Sequence, residues 1–498
     1  MNLTKNIILN ETEKQIRNVL LEVTRNLEKT QPPIQLRIAG GWVRDKLMGN
    51  ESNDIDIAID TMNGEPFAKA VKLFMEERGF PISQVSKIQL NPEKSKHLET
   101  ATARLFGLDV DFVNLRSETY KETSRNPEVS FGTPLEDALR RDITINSLFF
   151  NLHTELVEDF TNQGIKDLND GIIRTPMPAL QTFIDDPLRV LRVIRFATRF
   201  GFQIHSEIIE ATKNENLKQS FATKLSKERV GIEMDKMMKG ADPLRALDTI
   251  IQFGFYDIVY ELPENIQHQQ SKLAENLKSI KTLNSVLKAD WLPRILWNAN
   301  PLSDVCRGQL YLAISVASFR NDTYKVKHKS MSIVKYLISH SLKMSLVYGE
   351  FCHLVLTHAD RIRELVKQNS ESTLSRKTFG LLVRDLGVRP IGNQWDFAVL
   401  VALVLEISSK DLANDASKLE STVNEFSKFM ADIFSFGLEK SHELKPLMDG
   451  KEILATLNIK PGPHLGVLIQ QLIEWQLSQV NPTKDEAIAY VLHHCRKN

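Results

Sequence analysis

At 498 residues the chain is longer than one compact core accommodates, and 63 basic side chains against 63 acidic ones leave no global charge to attract a polyanion. Hydrophobic residues at 42% and charged residues at 25% fit a soluble protein of three or four domains or a string of helical modules; no apolar run reaches the length of a membrane span, so no membrane partner is expected. Three widely spaced cysteines, Cys306, Cys352 and Cys495, exclude a disulfide framework and a zinc site and point to a reducing compartment.

The first ten residues, MNLTKNIILN, lack a signal-peptide core, and Glu11 and Glu13 follow at once, which argues against a mitochondrial presequence within this chain. A cytoplasmic location extending to the nucleus is expected, with a mitochondrial form requiring a longer N-terminus. Asn10 and Glu13 stand in capping-box spacing ahead of Ile16, Val19, Leu20, Val23 and Leu27, which predicts a helix over 10–29. Next, Leu36 to Ala39 reads as a strand, Gly40-Gly41 as a turn and WVRDKLM as a helix start. Such a turn offers phosphate oxygens free backbone N–H groups at the positive end of a helix dipole. Asp54 and Asp56 then alternate with Ile55, Ile57 and Ile59, so a strand would bury the isoleucines and set both carboxylates on its other face. Two carboxylates that close repel each other unless a hard cation lies between them, and oxygen ligands are what Mg²⁺ takes.

A helix is expected over 66–78, then β-rich runs over 82–90, 100–106 and 108–114, with the polar stretch NPEKSKHLE between the first two. Asp109 and Asp111 share a face of the last run and offer a third carboxylate. Residues 116–134 read as a polar loop. LEDALRRDITINSLFFNL reads as an apolar helix with Arg140, Arg141, Asp142 and Asn146 crowded on its polar side, an unusual cost if they only faced water.

A helix predicted over 185–202 buries Val190, Leu191, Ile194, Phe196 and Ala197 and carries a stripe of Asp186, Arg189, Arg192, Arg195 and Arg199. On it Asp186 and Arg189 are adjacent, a pure acceptor beside a pure donor. Cytosine and adenine present an exocyclic amine next to a bare ring nitrogen, whereas uracil and guanine present the reverse order. Such a pair would admit C and A and reject U and G without a template. LSKERVGIEMDKMM (225–238) reads as a helix whose plain explanation is a capping box starting at Ser226. Helical patterning then continues over 270–440. Between Arg320 and Arg389, thirteen Lys/Arg face six acids, enough to suggest an RNA-backbone surface with Lys325, Lys327 and Lys329 as contacts. Near the end, Gly450, Pro461-Gly462-Pro463 and Gly466 read either as a turn presenting helix amides to an RNA phosphate or as a helix–loop–helix stop.

GGWVRD followed by DIDIAID resembles the signature of the polymerase-β-like nucleotidyltransferases, specifically the class II CCA-adding tRNA nucleotidyltransferases of eukaryotic and fungal type and their bacterial poly(A) polymerase relatives. RRDITIN is similar to that family's second motif, which binds ribose and triphosphate. GIKDLNDGIIRTP resembles the loop and strand joining head to neck, with Asp167, Gly171 and Arg174 in the family places. DDPLR resembles the base-selecting motif E/D-D-x-x-R, with Asp185 where many relatives have Glu, and with Pro187 in the middle. The family's third acid, five residues before an arginine, falls on Asp111 with Arg116; Asp109 is the alternative.

The resemblance implies an α+β chain. An N-terminal helix (1–35) would lead into a nucleotidyltransferase head with a small mixed β-sheet (36–170), then an all-α neck (171–275), body (276–440) and tRNA-binding tail (441–498). It implies a monomer that adds C, C and A to the tRNA 3′ end from CTP and ATP, releasing pyrophosphate. Asp54 and Asp56 would bind Mg²⁺ and Asp111 would help activate the 3′-hydroxyl. Gly40, Gly41, Arg44, Arg140, Arg141, Asp142 and Asn146 would hold triphosphate and ribose, while Asp185, Asp186, Arg189 and Arg192 would select the base. The alternatives are a poly(A) polymerase on the same scaffold, for which a C-and-A reader would be wasted, and a non-catalytic helical RNA-binding protein.

Overall fold

The computed structural model describes residues 7–80, 86–87, 101–121, 124–264, 266, 270–296, 302–387 and 391–494. The NPEKSKHLE stretch, Arg389 and Cys495 lie outside them. The chain divides into two compact units, one of residues 1–233 and 249–258 and the other of residues 234–248 and 259–498.

The first unit opens with α1 (Glu11–Leu27), and its capping box forms as expected between Asn10 and Glu13. Glu13 does more than cap. Buried to 3% exposure, it also accepts from Trp42 Nε1 (3.2 Å) and Lys46 Nζ (2.9 Å), both on α2 (Gly41–Leu47), so the N-terminal helix is pinned to the helix that follows the glycine turn. Between the two helices runs β1 (Leu36–Ala39). The sheet adds β2 (Ile55–Ile59), β3 (Ser86–Lys87), β4 (Ala101–Leu105), β5 (Leu108–Asn114), β8 (Phe149–Asn151) and β9 (Val157–Glu158), with β6 (Arg116–Lys121) and β7 (Ser124–Phe131) forming a separate hairpin. The strand order is β3-β4-β5-β2-β1-β8-β9, and β2 and β5 run parallel in an otherwise antiparallel, hence mixed, sheet. Ile55, Ile57 and Ile59 are buried beneath it, and α3 (Gly64–Glu77) covers β4 and β5.

Three expectations fail here, each for a local reason. Arg116–Lys121 and Ser124–Phe131 pair as β6 and β7 rather than forming a polar loop: RSETYK and SRNPEVSF lack the apolar alternation that marks a half-buried strand. The helix expected over 135–152 stops after six residues as α4 (Pro134–Leu139), and the chain turns through a 3₁₀ segment, Thr144–Asn146, into β8. Ile143, Thr144 and Ile145 are β-branched, and Asp142 Oδ1 accepts the Ile143 N–H, a local bond that competes with the helix. The stretch 164–176 starts with a helix, α5 (Gly164–Asp170), not a loop; Gly171 ends it in the left-handed region and β10 (Ile172–Ile173) follows. There Asp167 is fully buried and takes Thr144 Oγ1 (2.7 Å) and Arg174 Nε, fastening the 3₁₀ turn to the strand.

The helix expected over 185–202 is broken as well. α6 (Ala179–Asp185) ends at Asp186, which is extended (φ −138°, ψ 100°), and α7 (Arg189–Phe200) begins after Pro187, a residue that disfavours helical backbone at the position before it. β11 (Gln203–Ile204), which pairs with β10, and the helices α8 (Ser206–Ala211), α9 (Glu215–Lys224) and α10 (Lys227–Met238) follow. Three residues beyond Ser226 stands Arg229, not an acid, so the capping box read there does not form as written.

Residues of α11 (Pro243–Gln252) fall in both units and α12 (Tyr256–Val259) falls almost wholly in the first; the second unit is helical around α19 (Asp396–Ser409), numbered after α13 (Gln270–Val286), α14 (Asp304–Ser315), α15 (Ile333–Tyr336), α16 (Leu346–Thr357), α17 (Ala359–Glu371) and α18 (Arg376–Leu386). Residues 396–405 of α19 are all buried, as befits a helix apolar on every side, and α13, α14, α16, α17 and α20 (Ala416–Ser435) pack against it. One strand pair interrupts the helices, β12 (Thr323–Val326) with β13 (Lys329–Ser332). Toward the end, α21 (Gly450–Leu457), α22 (His464–Ser478) and α23 (Lys484–His494) share a small core of Ile453, Leu457, Leu472, Ala487 and Val491. Pro463 leads directly into α22, whose N-terminus has no side-chain cap. Among the described residues no helix is long and apolar enough to cross a membrane.

Candidate active site

Gly40 has φ +75°, a conformation L side chains rarely adopt, and a Cβ there would lie 2.7 Å from a guanidinium nitrogen of Arg141. The glycine turn therefore lets β1 swing into α2 while Arg141 packs across it, its other bonds going to Asn146 O (3.1 Å) and Asp137 Oδ2 (2.8 Å). On the neighbouring strands Asp56 stands in register with Asp111, and Thr102 Oγ1 donates to Asp111. Asp109, two residues back, is exposed and in register with Arg104.

Asp54, Asp56, Gly41, Arg44, Arg140, Arg141, Asp142, Asn146, Asp186, Arg189 and Arg192 line one cavity of about 560 Å³. Gly40, Asp111 and Asp185 are not among its lining residues. Lys325, Lys327 and Lys329 belong to the second unit. Nine arginines and four aspartates face the cavity, and no lysine does. A neutral chain thus holds a strongly positive cleft, and fixed guanidinium forks are the donors that suit phosphate oxygens.

Most of these charges are already committed. Asp142 accepts from Asn146 Nδ2 (3.0 Å) and from Arg192 (2.7 Å). Burial would raise its pKa, but Arg192 and Asn146 outweigh that and hold it below the usual carboxylate range. Arg44, only 3% exposed, is bonded to Asp45 (2.8 Å) and Asn146 and lies over the ring of Phe200, a buried strut behind the turn. Asp186 and Arg189 do not sit side by side on one helix face as expected. Asp186 Oδ1 accepts the Leu188 N–H (3.1 Å) and Oδ2 takes Arg229 (2.8 Å); Arg189 donates to Arg140 O (2.6 Å). Both line the cavity nonetheless, from the two sides of the break. Asp185 bonds Gln181 (2.7 Å), and burial raises its pKa.

Asp56 titrates near 6, pushed up first by burial and then by Asp54, with Asp111 adding to it against Arg141 and Arg116. A carboxylate raised that far by burial and by its acidic neighbours fits a divalent cation. Among the described residues no three metal-binding side chains form a closed cage.

The roles of two acids were not read from the sequence. Asp137, 1% exposed, accepts from Arg140 (2.6 Å), Arg141 (2.8 Å) and the Arg116 N–H (3.1 Å). Burial works against its charge, yet Arg141 and Arg140 keep its pKa below the ordinary value. Glu233 anchors Arg195 (2.6 Å), and the arginine stripe of α7 lines the cavity, with Arg199 at its exposed end. The spacing of Arg140 and Arg141, three and four residues after Asp137, is the signal that would have pointed there.

The Poly A polymerase head domain family matches residues 36–174. The mitochondrial CCA tRNA nucleotidyltransferase of Saccharomyces cerevisiae is 37% identical, over 97% of this chain and 93% of its own length. A tRNA nucleotidyltransferase of Schizosaccharomyces pombe is 38% identical, over 97% of this chain and 96% of its own. A solved CCA-adding enzyme in an apo form superposes with TM-score 0.65 at 19% identity, covering 97% of this chain and 96% of that one, a likeness of fold. With more than a third of its residues shared with two fungal enzymes across nearly their whole length, the chain belongs to the CCA-adding tRNA nucleotidyltransferase family.

Proposed function

We propose that this chain adds C, C and A to the 3′ end of tRNA, taking CTP and ATP and releasing pyrophosphate. The observation that carries the reading is Asp56 in register with Asp111, with Asp54 and Asp56 on the wall of an arginine-lined cavity. In the reaction the tRNA 3′-oxygen attacks the α-phosphorus, the bond from that phosphorus to the bridging oxygen breaks, and pyrophosphate leaves with the electron pair. Asp54 and Asp56 would hold Mg²⁺, which when bound supplies charge stabilisation at the phosphoryl group and activates the attacking hydroxyl. Asp111, oriented by Thr102, would take the proton from the 3′-hydroxyl. Gly40, Gly41, Arg140 and Arg141 would hold the triphosphate, with Arg44 fixing the turn from behind. Asp142 and Asn146 would meet the ribose, and Asp142 through Arg192 would brace the base site. Asp186 and Arg189 would read the base. Two of roughly four acceptor positions on the Asp186 carboxylate are taken by Leu188 and Arg229, which leaves room for an exocyclic amine.

Along the chain, the first 35 residues would brace the head (36–170), the neck (171–275) would select the nucleotide, and the body (276–440) and tail (441–498) would engage tRNA. Lys325, Lys327 and Lys329 would contact its backbone. A mitochondrial form accords with the name of the Saccharomyces relative, and cytoplasmic and nuclear pools belong to the same proposal. Incubation with tRNA lacking its 3′ end and each nucleotide in turn tests the reading. C onto the discriminator base and A onto a CC end are expected. Repeated addition of A to any RNA end would mean a poly(A) polymerase, and binding without incorporation an inert RNA-binding protein.

A further inference from the structure

Eight of the nine cavity arginines have a partner for the guanidinium: a carboxylate for Arg44, Arg140, Arg141, Arg192, Arg195, Arg199 and Arg229, and a backbone carbonyl for Arg189. Arg116 is the exception. Among the described residues its side chain makes no hydrogen bond or ion pair, and its Nε is shut off from solvent with nothing to donate to. Burial, followed by the like charge of Arg140, lowers its pKa from the ordinary arginine value. Its backbone is nevertheless held, by the N–H bond to Asp137 (3.1 Å). A desolvated cation without a partner costs stability in the free protein, so an anion that arrives with substrate relieves the cost.

The position of Arg116 narrows down that anion. It opens β6, two residues after the end of β5, the strand that sets Asp111 in register with Asp56. Of the charges acting on Asp56, the cations are Arg141 and Arg116. The phosphoryl group that must sit against these carboxylates is the one undergoing substitution. We propose that Arg116 is a catalytic residue that donates to a non-bridging oxygen of the α-phosphoryl group during transfer. This rests on the CCA-adding reading. As the 3′-oxygen bonds to phosphorus, its proton passes to Asp111 and pyrophosphate departs with the electrons of the broken bond. Charge then spreads over the equatorial oxygens, and a fixed donor beside them stabilises that state more than the bound substrate.

Arg116→Ala and Arg116→Lys test it. With the alanine variant, the kcat for CMP addition should fall by roughly 100-fold, the effect typical of losing one fixed donor to a developing charge, while KM for tRNA stays within twofold. The guanidinium has no hydrogen bond or ion pair to lose among the described residues, so Tm should be unchanged or higher. The lysine variant keeps the charge without the fork and should recover only part of the rate. Replacing a non-bridging α-oxygen of CTP with sulfur should slow the wild type more than Arg116→Ala, because the variant no longer contacts that oxygen. Wild-type protein that adds no CMP would overturn both this inference and the reading beneath it. An active wild type with Arg116→Ala within threefold of it, or with the same sulfur effect in both, would overturn the inference alone. A fall of several degrees in the alanine variant's Tm would make Arg116 structural and overturn it too.

Discussion

Two positive surfaces on this chain are built on opposite principles. In the first unit nine arginines turn toward one cavity, most of them half-buried and clamped by Asp45, Asp137, Asp142, Asp186 or Glu233. In the second unit the β12–β13 hairpin raises Lys325, Lys327 and Lys329 with His328 into solvent, and no acid pairs with them among the described residues. Clamped guanidiniums have lost their rotamer freedom before any ligand arrives, so they favour a ligand of one shape. Exposed ammonium groups keep theirs and sense little beyond charge density, which salt screens. One surface is suited to chemistry and the other to loose attachment.

The largest expected effect breaks the first surface at its anionic edge. If the carboxylates serve the transferred phosphoryl group and not docking, Asp54→Ala or Asp56→Ala should lower addition of both C and A by roughly 10³-fold while leaving tRNA binding almost unchanged. Single-turnover incorporation beside filter binding measures both. Residual turnover within tenfold of wild type at saturating Mg²⁺ would reject the assignment.

A smaller effect should change choice more than rate. Asp186→Ala should remove the penalty against UTP and GTP, about 1–3 kcal/mol for each mismatched contact, along with the advantage of CTP and ATP. Arg189→Ala should act similarly and also loosen Arg140, whose carbonyl it holds. The measurement is kcat/KM for all four nucleotides on tRNA ending at the discriminator base and on tRNA ending in CC. Uniform loss with wild-type ratios would place the base reader elsewhere.

The carboxylates also leave a mark on stability. Asp56 titrates near 6 in the folded chain, above the ordinary 3.8, so ionising it is harder folded than unfolded. Below both values each state holds the proton and nothing is gained or lost. As pH rises from about 4 to 6 the unfolded chain ionises first, and above 6 the full cost is present, about 3 kcal/mol at most. Without divalent ion, Asp56→Asn should therefore raise Tm by several degrees at pH 8 and not at pH 4. A Tm difference independent of pH, read by calorimetry in chelator, would contradict the repulsion inferred at this site.

The N-terminal helix, the carboxylate strand and the glycine turn were legible because each shows itself in local pattern: a capping box at Asn10 and Glu13, alternation in Ile55 to Ile59, and paired glycines where Gly40 takes a positive φ. The β6–β7 hairpin and the break at Asp186 were not, since one lacks apolar alternation and the other lies inside an unbroken apolar periodicity that only Pro187 interrupts. Asp137 escaped for another reason. A buried carboxylate looks like any surface acid until the arginines that neutralise it are known to converge. Charge counting misled in the same way. Arg320, Arg363 and Lys377 lie in the basic segment but pair with Glu275, Glu406 and Glu474 outside it, so the surplus counted along the chain overstates the open surface.

What survives of that surplus is the hairpin, and it gives the smallest expected effect. Lys325 is in register with Ser330 and Lys329 with Val326, while Lys327 forms the tip at φ 55°. Replacing all three by Gln keeps side-chain length and adds no new strain at the tip, since Gln meets the same left-handed backbone that Lys already accepts. If the lysines touch phosphates, each releases about one counterion on binding. The triple variant should then flatten the slope of log affinity against log salt by about two to three, raise KM for tRNA several-fold near physiological salt, and leave KM for CTP alone. The clamped arginines of the cavity should contribute little to that slope, because their counter-charges are protein carboxylates and not mobile ions. Filter binding across a salt series decides between the two surfaces. An unchanged slope in the triple variant would mean that the hairpin lysines merely solvate the helices beneath them.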